Sequence, residues 1–116
     1  MSTEIDAFPE VDPASPLHGL TQGLIVRPDG MVEVNYLKLD CGQLIGGEFR
    51  GVDWRACLQS SALLENLPAT DFARALGWRG DGNLRGIAVF LGDLANPDVP
   101  GKVLAAAVRM WDVVLN

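Results

Sequence analysis

Residues Gly23 to Leu39 constrain the fold more than any other stretch of the chain. Gly23-Leu24-Ile25-Val26-Arg27 is short and β-branched, and Pro28-Asp29-Gly30 follows it with turn chemistry. From Met31 onward, Val32, Val34 and Tyr36 alternate with Glu33, Asn35 and Lys38. Alternation at period two places the apolar side chains on one side of a strand. The segment therefore predicts a β-hairpin with one buried face.

The remaining elements are read around that hairpin. Asp40 to Gly47 predicts a single helical turn, capped by Asp40 and ended by Gly46-Gly47. Glu48 to Trp54 reads as a strand, whereas Arg55 to Glu65 suits either a helix or an extended run through Ala56, Leu58, Ala62, Leu63 and Leu64. Asn66-Leu67-Pro68-Ala69-Thr70-Asp71 is a helix start, with proline in the first turn, Asp71 favourable to the dipole, and Phe72, Ala73 and Leu76 on one side. Gly77 ends it, Trp78 to Asn83 forms a loop, and Leu84 to Leu91 gives a strand interrupted by Gly86. Asp98 then caps a helix running to about Val114, with Val103, Leu104, Ala107, Val108, Trp111, Val114 and Leu115 at helical spacing. Met110 and Val113 widen that stripe, which implies a helix either wedged against the sheet or shared with another subunit; the second is favoured, a homodimer interface through Val108, Met110, Trp111, Val114 and Leu115.

The expected fold class is α+β: a small, mostly antiparallel sheet near 23–27, 31–39, 48–54 and 84–91, covered by two helices near 69–76 and 99–114. Residues 1–19 hold Pro9, Pro13 and Pro16 among Glu4, Asp6, Glu10 and Asp12, and predict a disordered acidic head. The head reads first as a plain tether, with Ile5, Phe8, Val11 and Leu17 offering apolar points for docking onto the domain or a partner as the alternative, and residues 20–116 form the single expected domain.

Nine Lys plus Arg against fifteen Asp plus Glu leave a net charge of −6, which opposes nonspecific binding to a phosphate backbone, so nucleic acid is not an expected partner. No apolar run approaches the roughly 20 residues that span a bilayer. Met1 to Asp12 lack the basic and apolar regions of a signal peptide, so no membrane and a cytoplasmic location are expected. Cys41, Cys57 and His18 are too few to complete a structural zinc site, and no metal or cofactor is expected. Both cysteines read as reduced, packed thiols, since a cytosolic chain disfavours the bridge between them.

No catalytic set emerges, and the chain reads as non-enzymatic. His18, the only histidine, lies in the head, and Asp53, Asp81 and Asp93 are ordinary carboxylates with no partner base. The glycines at 42, 46, 47, 80, 82 and 86 match neither a phosphate loop nor a dinucleotide fingerprint. Two Trp-Arg pairs stand out, because an indole offers a stacking face and a guanidinium forks onto phosphate or carboxylate. The candidate ligand- or partner-binding residues are accordingly Arg50, Trp54, Arg55, Trp78, Arg79, Asp81 and Arg85. If Trp54 lies on a strand it faces away from Arg55, a core tryptophan beside a solvated arginine; Trp78-Arg79 lies in a loop, where function concentrates.

Arg27-Pro28-Asp29-Gly30, Leu44-Ile45-Gly46-Gly47, Asn66-Leu67-Pro68-Ala69-Thr70 and Gly86-Ile87-Ala88-Val89-Phe90-Leu91-Gly92 occur in an order that resembles a family of small domains of unknown function from actinobacterial phages, plasmids and prophages. The resemblance covers about 23–93, and the chain departs from it over Arg55 to Glu65, where family members are more hairpin-like. It implies no catalytic residue. It implies a context, in which an accessory protein of a phage or mobile element binds and inhibits a host factor, such as a component of antiviral defence. The alternative expectation is an oligomer that binds or sequesters a signalling nucleotide.

Overall fold

The computed structural model describes residues 20–38, 41–59 and 64–115; the expected acidic head, His18 included, lies outside them. Strands β1 (Thr21–Val26) and β2 (Val32–Leu37) pair antiparallel, Thr21 opposite Leu37 and Val26 opposite Val32. Gly30 closes the connecting turn in the left-handed region (φ 90°), its N–H donating to the Arg27 carbonyl, while Asp29 Oδ1 accepts from the Met31 N–H. The alternation thus makes the expected hairpin, but not with one buried face. Four consecutive residues of β1, Gly23 to Val26, are buried, because the sheet carries apolar clusters on both sides.

Strands β3 (Gln43–Phe49) and β4 (Val52–Leu58) form a second antiparallel hairpin. The helical turn expected over Asp40–Gly47 is therefore incorrect, Asp40 itself lying outside the described residues. Gly46-Gly47 is no helix terminator. A Cβ on Gly47 would stand 2.9 Å from Trp54 Cζ2, so the glycine opens the space in which the indole lies. The expected strand at 48–54 is really two strand ends joined by Arg50 (φ 52°) and Gly51 (φ 82°), a two-residue turn with both residues left-handed. The open segment after Arg55 continues as strand to Leu58.

Helix α1 (Leu67–Ala75) begins as expected: the Asn66 side chain accepts the Ala69 N–H, and Pro68 sits where no intrahelical donor is needed. Asp71 falls beyond the first turn. Strand β5 (Ala88–Leu91) is shorter than the expected 84–91, since Gly86 turns at φ 73°. Helix α2 (Gly101–Met110) starts after Pro100 without a side-chain cap; Asp98, the expected cap, instead accepts the Gln22 N–H and ties the helix entry to β1. The helix also stops short of Val114. Trp111 turns extended with its ring 5.0 Å from that of Phe72, and Val114–Leu115 form β6, parallel to β2.

The strand order β3-β4-β5-β1-β2-β6 makes five antiparallel strands with β6 along one edge, and with α1 and α2 it is an α+β fold. Both helices pack on one face, over Leu24, Val26, Val34, Trp54, Ala56 and Phe90. Ile25, Leu37, Cys57, Val89 and Leu91 cluster on the other. Cys57 is bonded to Cys41 with the Cα atoms 5.0 Å apart, correcting the expectation of two reduced thiols. The β3–β4 pairing brings them together, and closing a loop of this length contributes about 3 kcal/mol in the chain-entropy account. Among the described residues, no helix is long and apolar enough to cross a membrane.

Candidate functional site

The end of α1 positions the first element of the site. Gly77 takes φ 95°, its N–H donates to the Arg74 carbonyl, and the Trp78 N–H donates to the Ala73 carbonyl. This pattern satisfies the last carbonyls of the helix and turns the chain back over it. Trp78 is thereby held half-buried against the core, with the Arg74 guanidinium 5.5 Å from its ring centroid. Gly80 lies directly against the indole, where a Cβ would clash with the ring.

The loop after Trp78 then folds toward the β3–β4 hairpin. Arg74 donates to the Gly82 carbonyl at 2.6 Å. Glu65 receives Asn83 Nδ2 at 3.3 Å and lies 3.8 Å from the Arg85 guanidinium, so one carboxylate orients two neighbouring polar groups. Gln59 holds the adjacent backbone by accepting the Ile87 N–H. Trp78, Asp81, Asn83 and Arg85 meet Gln43, Ile45 and Gln59 around an open cleft of about 230 Å³. An indole, a carboxylate, a guanidinium and amide groups thus converge on a small apolar floor formed by Ile45, Leu58 and Leu84. Such a set suits a planar ligand with hydrogen-bonding edges.

Of the expected ligand residues, the fold brings together Trp78, Asp81 and Arg85 and separates the others. Trp54 is 1% exposed, in the core. Arg55 points to the opposite face of the sheet and donates to the carbonyls of Gly92 and Asp93. Arg79 is exposed outside the cleft lining, and Arg50 sits at the far end of β3. Sequence reasoning missed Gln43 and Gln59, because their convergence depends on strand pairing, and passed over Asn83 although it shares the Trp78 loop. Along the expected dimer face, Val108, Met110 and Val114 are exposed, Trp111 packs on Phe72, and Leu115 pairs with Val34 in β6.

Among the described residues, no three His, Cys, Asp or Glu side chains gather closely enough to hold a metal ion. Comparison with family models, with curated proteins and with solved structures found no match. The resemblance to the phage and plasmid family therefore rests on its sequence motifs alone.

Proposed function

We propose that this chain is a non-enzymatic binding protein that holds a small planar ligand, a nucleotide by its chemistry, in the Trp78 cleft. The carrying observation is the convergence of Trp78, Asp81, Asn83 and Arg85 with two glutamines around one opening. The indole supplies a stacking surface, the amides and Asp81 supply edge recognition, and Arg85 supplies a cation already aimed by Glu65. A thermal-shift panel of mono-, di- and cyclic nucleotides tests this, since a ligand at 100 times its Kd adds about 2.7 kcal/mol to stability. Trp78→Ala is expected to weaken the responding nucleotide roughly 5- to 150-fold, the worth of about 1–3 kcal/mol of base stacking. A panel without any shift overturns the reading for those ligands.

A specific observation also favours a protein partner. Val108, Met110 and Val114 are 61%, 46% and 49% exposed near the C-terminal end of the described chain. Inhibition of a host factor of a mobile element's host, or pairing with a second copy, would use this strip. Val108→Asp is expected to reduce a dimer, or a captured host protein, at least tenfold in sedimentation or pull-down; an unchanged result rules the strip out.

Cytoplasmic residence belongs to the same proposal, and the Cys41–Cys57 bridge weighs against it, because reducing compartments keep such thiols apart. Counting free thiols in protein alkylated inside intact cells decides between the two.

A further inference from the structure

A second pocket, sharing no lining residue with the Trp78 cleft, lies at the opposite end of β3. It measures about 210 Å³ and is lined by Phe49, Arg50, Lys102, Ala105, Ala106 and Arg109. Three of the chain's nine Lys and Arg residues line it, and no carboxylate does. In a protein of net charge −6 that is a local reversal of sign.

Each part of the pocket has a separate structural origin. Lys102, Ala105, Ala106 and Arg109 follow one another at i, i+3, i+4 and i+7, so they share one face of α2. The two alanines leave a shallow floor between two cations about two turns, or roughly 10 Å, apart along the axis. Arg50 faces them from the β3–β4 turn, where it takes the left-handed backbone that Asn normally supplies in such turns. Its carbonyl accepts from Lys102 Nζ at 2.9 Å, which fixes the turn to the start of α2. The Arg50 guanidinium lies 5.2 Å from the centroid of the Phe49 ring.

No carboxylate offsets these charges among the described residues; Arg109 alone is favoured locally, by the negative end of the α2 dipole. Among the described residues, Arg50, Lys102 and Arg109 form no ion pair, and the Arg109 side chain makes no hydrogen bond. The first turn of α2 contains no acidic residue, so Lys102 adds to the positive end of the helix dipole instead of opposing it. Clustered cations of this kind repel one another until an anion arrives. Two arginine forks and a lysine also match the acceptor geometry of phosphoryl oxygens. The separation along α2 fits two linked phosphoryl groups better than one.

We propose that this pocket binds the diphosphate group of a small phosphorylated ligand, with Arg50, Lys102 and Arg109 as its cationic contacts. The site is independent of the Trp78 cleft. Its test is titration of the full chain with inorganic pyrophosphate, using inorganic phosphate and sulfate as comparison anions. Saturable pyrophosphate binding is expected, at least tenfold tighter than sulfate, weakening as salt rises. Arg109→Gln and the double variant Lys102→Gln with Arg109→Gln should each lower the affinity, the double variant by more than tenfold. The Arg109 side chain pairs with no other side chain among the described residues, so its substitution touches the fold only through the last turn of α2, and an unchanged thermal midpoint for Arg109→Gln separates lost binding from lost folding. Arg79→Gln, an exposed cation elsewhere, and Trp78→Ala should leave pyrophosphate binding unchanged. Absence of saturable binding overturns the proposal, as does equal loss in Arg79→Gln and Arg109→Gln, which would mean charge attraction without a site.

Discussion

Trp54→Ala is expected to lower the stability of the fold by about 3–5 kcal/mol, a large share of the 5–15 kcal/mol that holds most domains together. Three separate dependencies converge on this side chain. Its ring is 1% exposed and lies 5.5 Å from that of Phe90 on the neighbouring strand, so truncation leaves a large cavity under the helices. Its Nε1 donates to the Leu76 carbonyl at 2.8 Å, answering a group that the end of α1 would otherwise bury unpaired. Gly47 on β3 has no side chain, and the indole occupies the space. Trp54→Phe keeps much of the apolar area but removes the donor, and should fall between the parent and the alanine variant. Urea unfolding monitored by circular dichroism measures all three. An alanine variant with the parent's midpoint would mean that the helices can close over β4 without the ring.

Asn66→Ala is expected to cost a similar amount, about 3–5 kcal/mol, although it removes little apolar surface. Asn66 is fully buried. Its Nδ2 donates to the Val26 carbonyl at 2.9 Å and to the Gly86 carbonyl at 2.8 Å, and its Oδ1 accepts the Ala69 N–H. One amide therefore joins the end of β1, the entry to β5 and the first turn of α1, and alanine would orphan three buried backbone groups at once. Thr70 reinforces the joint, its Oγ1 donating to the Asn66 carbonyl and accepting the Leu84 N–H.

Asn66→Asp makes the test sharper. A carboxylate would turn an oxygen toward two carbonyls, and burial beside those lone pairs favours its protonated form, raising its pKa in the folded state. A group raised on folding contributes its stability below the unfolded pKa and loses it as pH rises through the folded value. The aspartate variant should thus approach the parent in acid and fall behind it at neutral pH. A deficit that does not change with pH would show that the amide donors are not what holds the joint.

These two residues also show what the amino-acid sequence makes legible. The β1–β2 hairpin and the start of α1 are readable because their causes are local: alternation around Pro28-Asp29-Gly30 in one, and Asn66 with Pro68 in the other. Strand β3 is not. Gly46-Gly47 has the look of a helix stop, and the reason for Gly47 is a tryptophan on the partner strand. The turn at Arg50-Gly51 hides behind an arginine at a position that asparagine usually fills. The end of α2 lacks a Gly or Pro signal, because contact with Phe72 and the open edge of β2 end it instead. The candidate site divides in the same way. Trp78 and Asp81 share one loop and Arg85 follows just beyond it, so the three are readable together, whereas Gln43 and Gln59 join them only once β3 and β4 are paired. Lys102 and Arg109 carry no signal in sequence alone; the hairpin tip opposite them makes them a pocket.

The position of β5 has a kinetic consequence. The two hairpins are each built from neighbours in the chain, but they do not touch as strands: β5 lies between them, pairing Ala56 with Phe90 on one side and Leu24 with Phe90 on the other. Among the described residues, four, Ala88–Leu91, are the only seam of the sheet between the halves. During synthesis both hairpins leave the ribosome before that seam exists. Each then carries an unpaired strand edge, β1 or β4, that a foreign strand could occupy. The interval before β5 arrives is when this protein is most open to mispairing, and the arrival of Phe90 between the two edges closes it.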